Sequence, residues 1–300
     1  MSAPIRCEDL SKRFRRVHAI DHLHLEVPEG SIYALVGPNG AGKTTLIKIL
    51  VNILRPTAGH SWVLGTASRR LSQREFQKIG YVSENQELPD WMTVGYFLSY
   101  LSHFYPGWND ALAEELVREF QLPRDRRLGQ LSRGMKMKAA LASSLTYHPS
   151  LILLDEPFSG LDPLVRDEFI EGLLERAAGT TVLVSSHDLA EIESFASHIG
   201  FMDSGKVQFS EEIGTLSGRF REIEIMLPTT PILPSNWPES WSKPQISPAM
   251  VRFVESRFDT DRTRSAIAEL FPETLNVSVK PMSLREIFIA LARTQRKPAA

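Results

Sequence analysis

The chain has 300 residues, enough for one large domain or two unequal ones, with a core that needs no disulfide or metal to hold it. Hydrophobic residues make up 42% and charged residues 23%, an ordinary globular composition, and the net charge of -2 excludes the basic excess of a general nucleic-acid binder. The single cysteine, Cys7, cannot close an internal disulfide, which suits a reducing compartment.

The N-terminal residues lack the apolar run of a signal peptide, and no stretch approaches the roughly 18 apolar residues of a membrane span. Any membrane role is therefore expected to run through a partner. Apolar runs and alternations predict strands at Ile5–Leu10, Leu23–Val27, Ile32–Val36, Ser61–Leu64 and Ile79–Val82. Further strands are predicted at Leu151–Leu154, Thr181–Val184 and Ile199–Asp203, with helices at Lys43–Leu54, Asp110–Phe120, Ser132–Thr146 and Leu164–Ala177. Strands alternating with helices imply an α/β fold with a mainly parallel sheet covered on both faces. Thr93 to His148 shows no strand pattern and reads as a helical insertion, of about residues 90–148.

The expected boundary falls near residue 215. Beyond it, residues 216–300 read as a small α/β accessory domain. Its Pro-rich segment, 228–248, holds six prolines, which exclude a long helix or central strand and leave an ordered loop or a linker. Met250–Glu255 and Leu275–Val279 are expected strands, Asp261–Leu270 and Ser283–Ala292 expected helices, and the tail Thr294–Ala300 is expected to fray.

A glycine-rich stretch, Gly37 to Thr45, follows the strand Ile32–Val36 and opens a helix. Gly40 and Gly42 can take positive φ, so backbone N–H groups can close around phosphates at the helix N-terminus. Gly37, Asn39, Gly40, Ala41, Gly42, Lys43, Thr44 and Thr45 are the nucleotide-binding candidates, with Lys43 reaching the β- and γ-phosphates of ATP and the Thr44 hydroxyl on Mg²⁺. A second element, Leu151–Pro157, is a buried strand ending in two carboxylates at the edge where open α/β sheets bind ligands. Asp155 is expected in the Mg²⁺ shell. Glu156 is expected to polarise the attacking water.

Taken with these motifs, the sequence resembles the ABC ATPase family over about Ile5 to Gln208. Leu131-Ser-Arg-Gly-Met135 stands where that family has its LSGGQ signature, Ser159-Gly-Leu-Asp162 where it has the D-loop, and His187 where it has the switch histidine. The resemblance implies a P-loop NTPase with a mainly parallel central sheet, an antiparallel β subdomain and a helical insertion, working as an ATP-hydrolysing dimer. It implies Lys43, Glu156 and His187 as catalytic residues, and Phe14 stacked on adenine. Ser132 and Gly134 would hold the nucleotide of the other subunit, and Asp162 would pass the state of one site to the other. The partners it implies are a transmembrane permease subunit and a second ATPase copy, identical or related, at the cytoplasmic face of the membrane. No nucleic acid is expected. The layout and the ending Met282–Phe288 are similar to the ATPase subunits of the second type of ABC exporters. Rival expectations are a soluble ABC ATPase acting on ribosomes or DNA, and a hypoactive regulatory subunit.

Two positions depart from the family pattern. Glu84 aligns with a customary glutamine, and would serve as a Mg²⁺ ligand unless a two-residue slide recruits Gln86. Arg133 replaces the first signature glycine. The gained acid and base suggest compensation between Arg133 of one subunit and Glu84 of the other. Trp91 and Met92 are the expected contacts for the membrane partner, while most other aromatics of the insertion are expected in its core.

Overall fold

The computed structural model describes residues 3–295, and the chain divides into two compact units, Met1–Ser210 and Glu211–Ala300. The first unit begins with β1 (Ile5–Phe14), β2 (Val17–Val27), β3 (Ile32–Val36), α1 (Lys43–Leu50), β4 (Ala58–Val63), β5 (Thr66–Ala67), α2 (Gln73–Phe76) and β6 (Ile79–Ser83). It continues through α3 (Val94–Ser102), α4 (Asp110–Glu119), α5 (Arg133–Leu145), β7 (Leu151–Asp155), α6 (Pro163–Arg176), β8 (Thr181–Ser186), β9 (His198–Asp203) and β10 (Lys206–Glu212).

The main sheet has the order β10-β9-β3-β8-β7-β6, and its β3–β8, β3–β9, β6–β7 and β7–β8 pairs are parallel. Every residue of β7 and β8 is buried, as continuous apolar runs between two covering layers require. The register aligns Ser83 with Asp155 and Asp155 with Ser185. The C-terminal ends of three neighbouring strands therefore meet at one place. A second sheet, β2-β1-β4-β5, is antiparallel. Leu46, Ile47, Ile49 and Leu50 of α1 lie in one core with Leu25, Leu35, Leu153 and Leu183, which fixes the helix behind the glycine-rich loop.

In the insertion, the side chains of Thr93, Asn109 and Ser132 cap α3, α4 and α5 by accepting the N–H groups of Tyr96, Leu112 and Met135. The expectation that its aromatics form mainly core is overturned. Phe97 is buried, but Trp91 is 65% exposed, and Tyr96, Tyr100 and Phe104 are exposed as well. Tyr96 and Tyr100, four apart, share one outer face of α3. Met92, expected at a partner surface, is buried instead.

The second unit holds α7 (Ile213–Arg219), β11 (Arg221–Met226), β12 (Gln245–Ser247), β13 (Met250–Glu255), α8 (Thr260–Leu270), β14 (Asn276–Pro281) and α9 (Leu284–Gln295). Its antiparallel sheet has the order β12-β13-β11-β14. The central strand β11 was not among the predicted elements. Its apolar side chains, Ile223 and Ile225, alternate with charges, and both sit in a core with Val251, Phe253, Ile267 and Phe271. The Pro-rich segment is an ordered loop as far as Pro244 and then forms the edge strand β12. It supplies Trp241 to that core, and the indole N–H donates to the buried Glu255 carboxylate. α9 continues to Gln295, whereas the rest of the tail expected to fray lies outside the described residues.

Candidate active site

The loop between β3 and α1 forms the floor of a cavity of about 390 Å³. Asn39, Gly40, Ala41, Gly42, Lys43, Thr44 and Thr45 line it, together with Val17, Ala19, Glu84, Glu156, Ser159 and His187. Gly40 and Gly42 have φ of +84° and +108°, and a Cβ on Gly42 would stand 2.2 Å from the Ala19 carbonyl oxygen. Neither condition admits a larger residue at position 42. Gly37 lies under the loop, where a Cβ would stand 2.0 Å from the Met202 carbonyl oxygen. The Lys43 ammonium is buried; it donates to the Gly37 carbonyl at 2.6 Å and meets Glu156 Oε1 at 3.0 Å.

Glu156 follows the last residue of β7 with φ of +50°, a left-handed conformation uncommon for a residue with a Cβ. Its backbone N–H donates to Ser185 Oγ at 2.9 Å. Oε1 faces Lys43, and Oε2 takes a 2.8 Å hydrogen bond with His187 Nδ1. One carboxylate thus links the glycine-rich loop to His187. The bond to Glu156 raises the pKa of His187 above the ordinary histidine value, against a smaller opposite effect of burial.

Asp155 is buried and accepts two hydroxyl hydrogen bonds, from Thr44 Oγ1 and Ser185 Oγ, each at 3.0 Å. Burial pushes its carboxyl up, while the two hydroxyls pull it down. A buried carboxylate held by neutral hydroxyls favours a nearby cation. Its partner Thr44 lines the cavity, as does Glu84, and these oxygen donors suit a hard cation such as Mg²⁺. Ser185 and Ser159 were not assigned a role from sequence. Strand β8 ending in two serines beside a strand ending in two acids was the available signal for Ser185.

The other sequence-predicted residues divide between this cavity lining and places outside it. Glu84 lines it, whereas the Gln86 side chain turns back to accept the Ser83 N–H at 3.3 Å and borders a separate cleft. Arg133, expected opposite Glu84 of another subunit, pairs in the single chain with its own Glu84. Phe14 is half-exposed under the Lys12 ammonium, 4.8 Å from the ring centroid; its cross-strand neighbour Val17 lines the cavity instead. Ser132 caps α5, and Gly134 packs so closely that a Cβ would stand 2.7 Å from Val165 Cγ1. Asp162 caps α6 by accepting the Val165 N–H at 3.0 Å. None of Phe14, Ser132, Gly134 and Asp162 is in the cavity lining.

A glycine-rich loop between a parallel strand and a helix, with an acid at the end of β7, the next strand but one from β3, defines the P-loop NTPase fold. The ABC transporter family matches residues 20–159. The probable multidrug ABC transporter ATP-binding protein YbhF of Escherichia coli (strain K12) is 36% identical over 68% of this chain and 36% of that protein. The bacitracin transport ATP-binding protein BcrA of Enterococcus faecalis is 32% identical over 74% of this chain and 73% of that one. The lantibiotic transport ATP-binding protein SrtF of Streptococcus pyogenes is 33% identical over 69% of this chain and 90% of that one. A solved ATP-binding subunit of an ABC transporter is 27% identical with a TM-score of 0.65, covering 72% of this chain and 92% of that chain. The chain belongs to the ABC transporter family, and the relatives it matches are ATP-binding proteins of that family. Its match spans 36% of the length of YbhF.

Proposed function

We propose that this chain powers an exporter: two copies, or one copy and a related chain, bind ATP between them, and their closure and reopening drive a separate membrane subunit. The observation that carries the reading is the Glu156 carboxylate, held between Lys43 at 3.0 Å and His187 at 2.8 Å beside the phosphate loop. Lys43 would exchange this contact for the β- and γ-phosphates. Glu156 would then orient a water molecule for in-line attack, with His187 holding the γ-phosphate and the water in place. The water oxygen bonds to phosphorus as the bond to the ADP oxygen breaks, and the water's proton passes toward Glu156. Thr44 and Asp155, with Glu84, would hold Mg²⁺, which neutralises charge on the phosphates when bound.

The reading of a second copy follows from what the cavity lacks. Ser132 opens α5 with an exposed hydroxyl, outside the cavity lining of its own chain. Facing the phosphate loop of another copy, it would complete a shared site, with Phe14 stacking on adenine and Asp162 relaying between sites. The exporter assignment rests on kinship with relatives named for multidrug, bacitracin and lantibiotic transport. No helix of the described residues is long and apolar enough to cross a membrane. By kinship with the transport ATP-binding proteins, the proposed permease is a separate partner and the proposed place of work the cytoplasmic membrane face. The exposed face of Trp91, Tyr96 and Tyr100 is the proposed contact.

Glu156→Gln tests the mechanism. Turnover should fall by roughly 10²- to 10⁴-fold while ATP binding persists, and the variant should collect as an ATP-bound dimer. Phosphate release and light scattering after gel filtration read the two effects. Full turnover from a protein that stays monomeric with ATP would overturn the reading.

A further inference from the structure

We infer that Arg133 is a positioning residue for the nucleotide cavity of its own chain: its guanidinium holds the Glu84 carboxylate and offsets the charge that this carboxylate brings to a phosphate-binding site. The inference rests on the proposed ATP reading and assigns it a residue that the family signature does not supply. Glu84 lines the cavity beside Lys43, Glu156, Ser159 and His187. Its backbone N–H donates to the Asp155 carbonyl at 2.9 Å, which ties the segment to the end of β7. Its Oε1 accepts both the Ser159 hydroxyl, at 3.0 Å, and the Arg133 guanidinium. Two side chains thus fix the direction of the carboxylate, and one backbone bond fixes its base.

The surroundings of Arg133 support a role outside its helix. A cation in the first turn of α5 opposes the helix dipole, so helix stability does not explain it. Room for the guanidinium comes from Gly160, where a Cβ would stand 3.0 Å from Arg133 Nη1. The other cavity glutamate, Glu156, already has Lys43 and His187. Left without Arg133, Glu84 would keep only the neutral Ser159 hydroxyl, and its uncompensated charge would oppose a bound polyphosphate. The pair also connects the start of the signature helix to the segment after β6 within one chain.

The test is equilibrium binding of the non-hydrolysable analogue AMP-PNP with Mg²⁺ to the full chain. Protein is kept below the concentration at which sedimentation detects self-association. Arg133→Gln should weaken binding by roughly five- to tenfold. The same change in a Glu84→Gln background should alter it less than about twofold, and Arg133→Lys should retain most of the affinity. Equal losses in both backgrounds would assign Arg133 a merely structural part and overturn the inference. So would an effect confined to concentrations where dimers form, because the pair would then act between copies. A wild-type chain that binds no AMP-PNP, indistinguishable from Lys43→Ala, would instead remove the nucleotide reading itself.

Discussion

His187 shares a carboxylate with Lys43, and that sharing has a pH signature. The bond to Glu156 raises the imidazole pKa above its ordinary value of 6.5. Its stabilising share is fully present below that ordinary value and is lost as pH rises through the raised one. Melting curves of the wild type and His187→Ala should therefore differ at pH near 6 and converge in alkaline solution. A gap that stays constant across the range would mean that protonated His187 does not pair with Glu156. The histidine side chain is 42% exposed, so solvent screening keeps the gap small. The sequence exposed Lys43, Asp155, Glu156 and His187 because each lies in a contiguous motif whose chemistry can be read locally. It could not expose Ser185, whose bond to Asp155 depends on the register between two parallel strands. The Glu84–Arg133 pair was legible as two departures in charge, but sequence carries no mark of whether such a pair closes within one chain or between two.

At the scale of elements, the junction of α5 and α6 is closely packed. Gly134 faces Val165 with no space for a methyl group. Gly134→Ala should cost about 1–3 kcal/mol by overpacking, seen as a lower urea midpoint with an unchanged slope. An unchanged midpoint would show that the two helices part easily. The main sheet was readable because its strands are continuous apolar runs such as Leu151–Asp155. The second unit was less so. In β11, charged Arg221, Glu222 and Glu224 flank the two isoleucines, so a short alternation is all that marks a central strand. The proline-rich loop read as a possible linker because composition does not reveal that Trp237 and Trp241 pack edge to face, with ring centroids 5.2 Å apart. The aromatics of α3 were misplaced for a related reason. Aromatic side chains ordinarily favour the interior, and nothing in their spacing says which helix face will lack a neighbour.

For the whole molecule, the shared-site proposal separates two roles of Ser132. As a cap its loss costs about 1 kcal/mol, a modest fall in melting temperature. If it also holds nucleotide in a second copy, Ser132→Ala in the Glu156→Gln background should weaken the ATP-bound dimer as well, which analytical ultracentrifugation would register. A dimer of undiminished strength would leave Ser132 a cap alone. The outer face of the insertion bears on the life of the chain before any such assembly. Trp91, Tyr96, Tyr100 and Phe104 present aromatic surface to water, the kind of patch that chaperones and proteases recognise. Molecules synthesised in excess of the permease would carry that patch uncovered. Balanced production of the two would then protect the ATPase from aggregation and turnover, and its abundance in the cell would follow that of the membrane subunit.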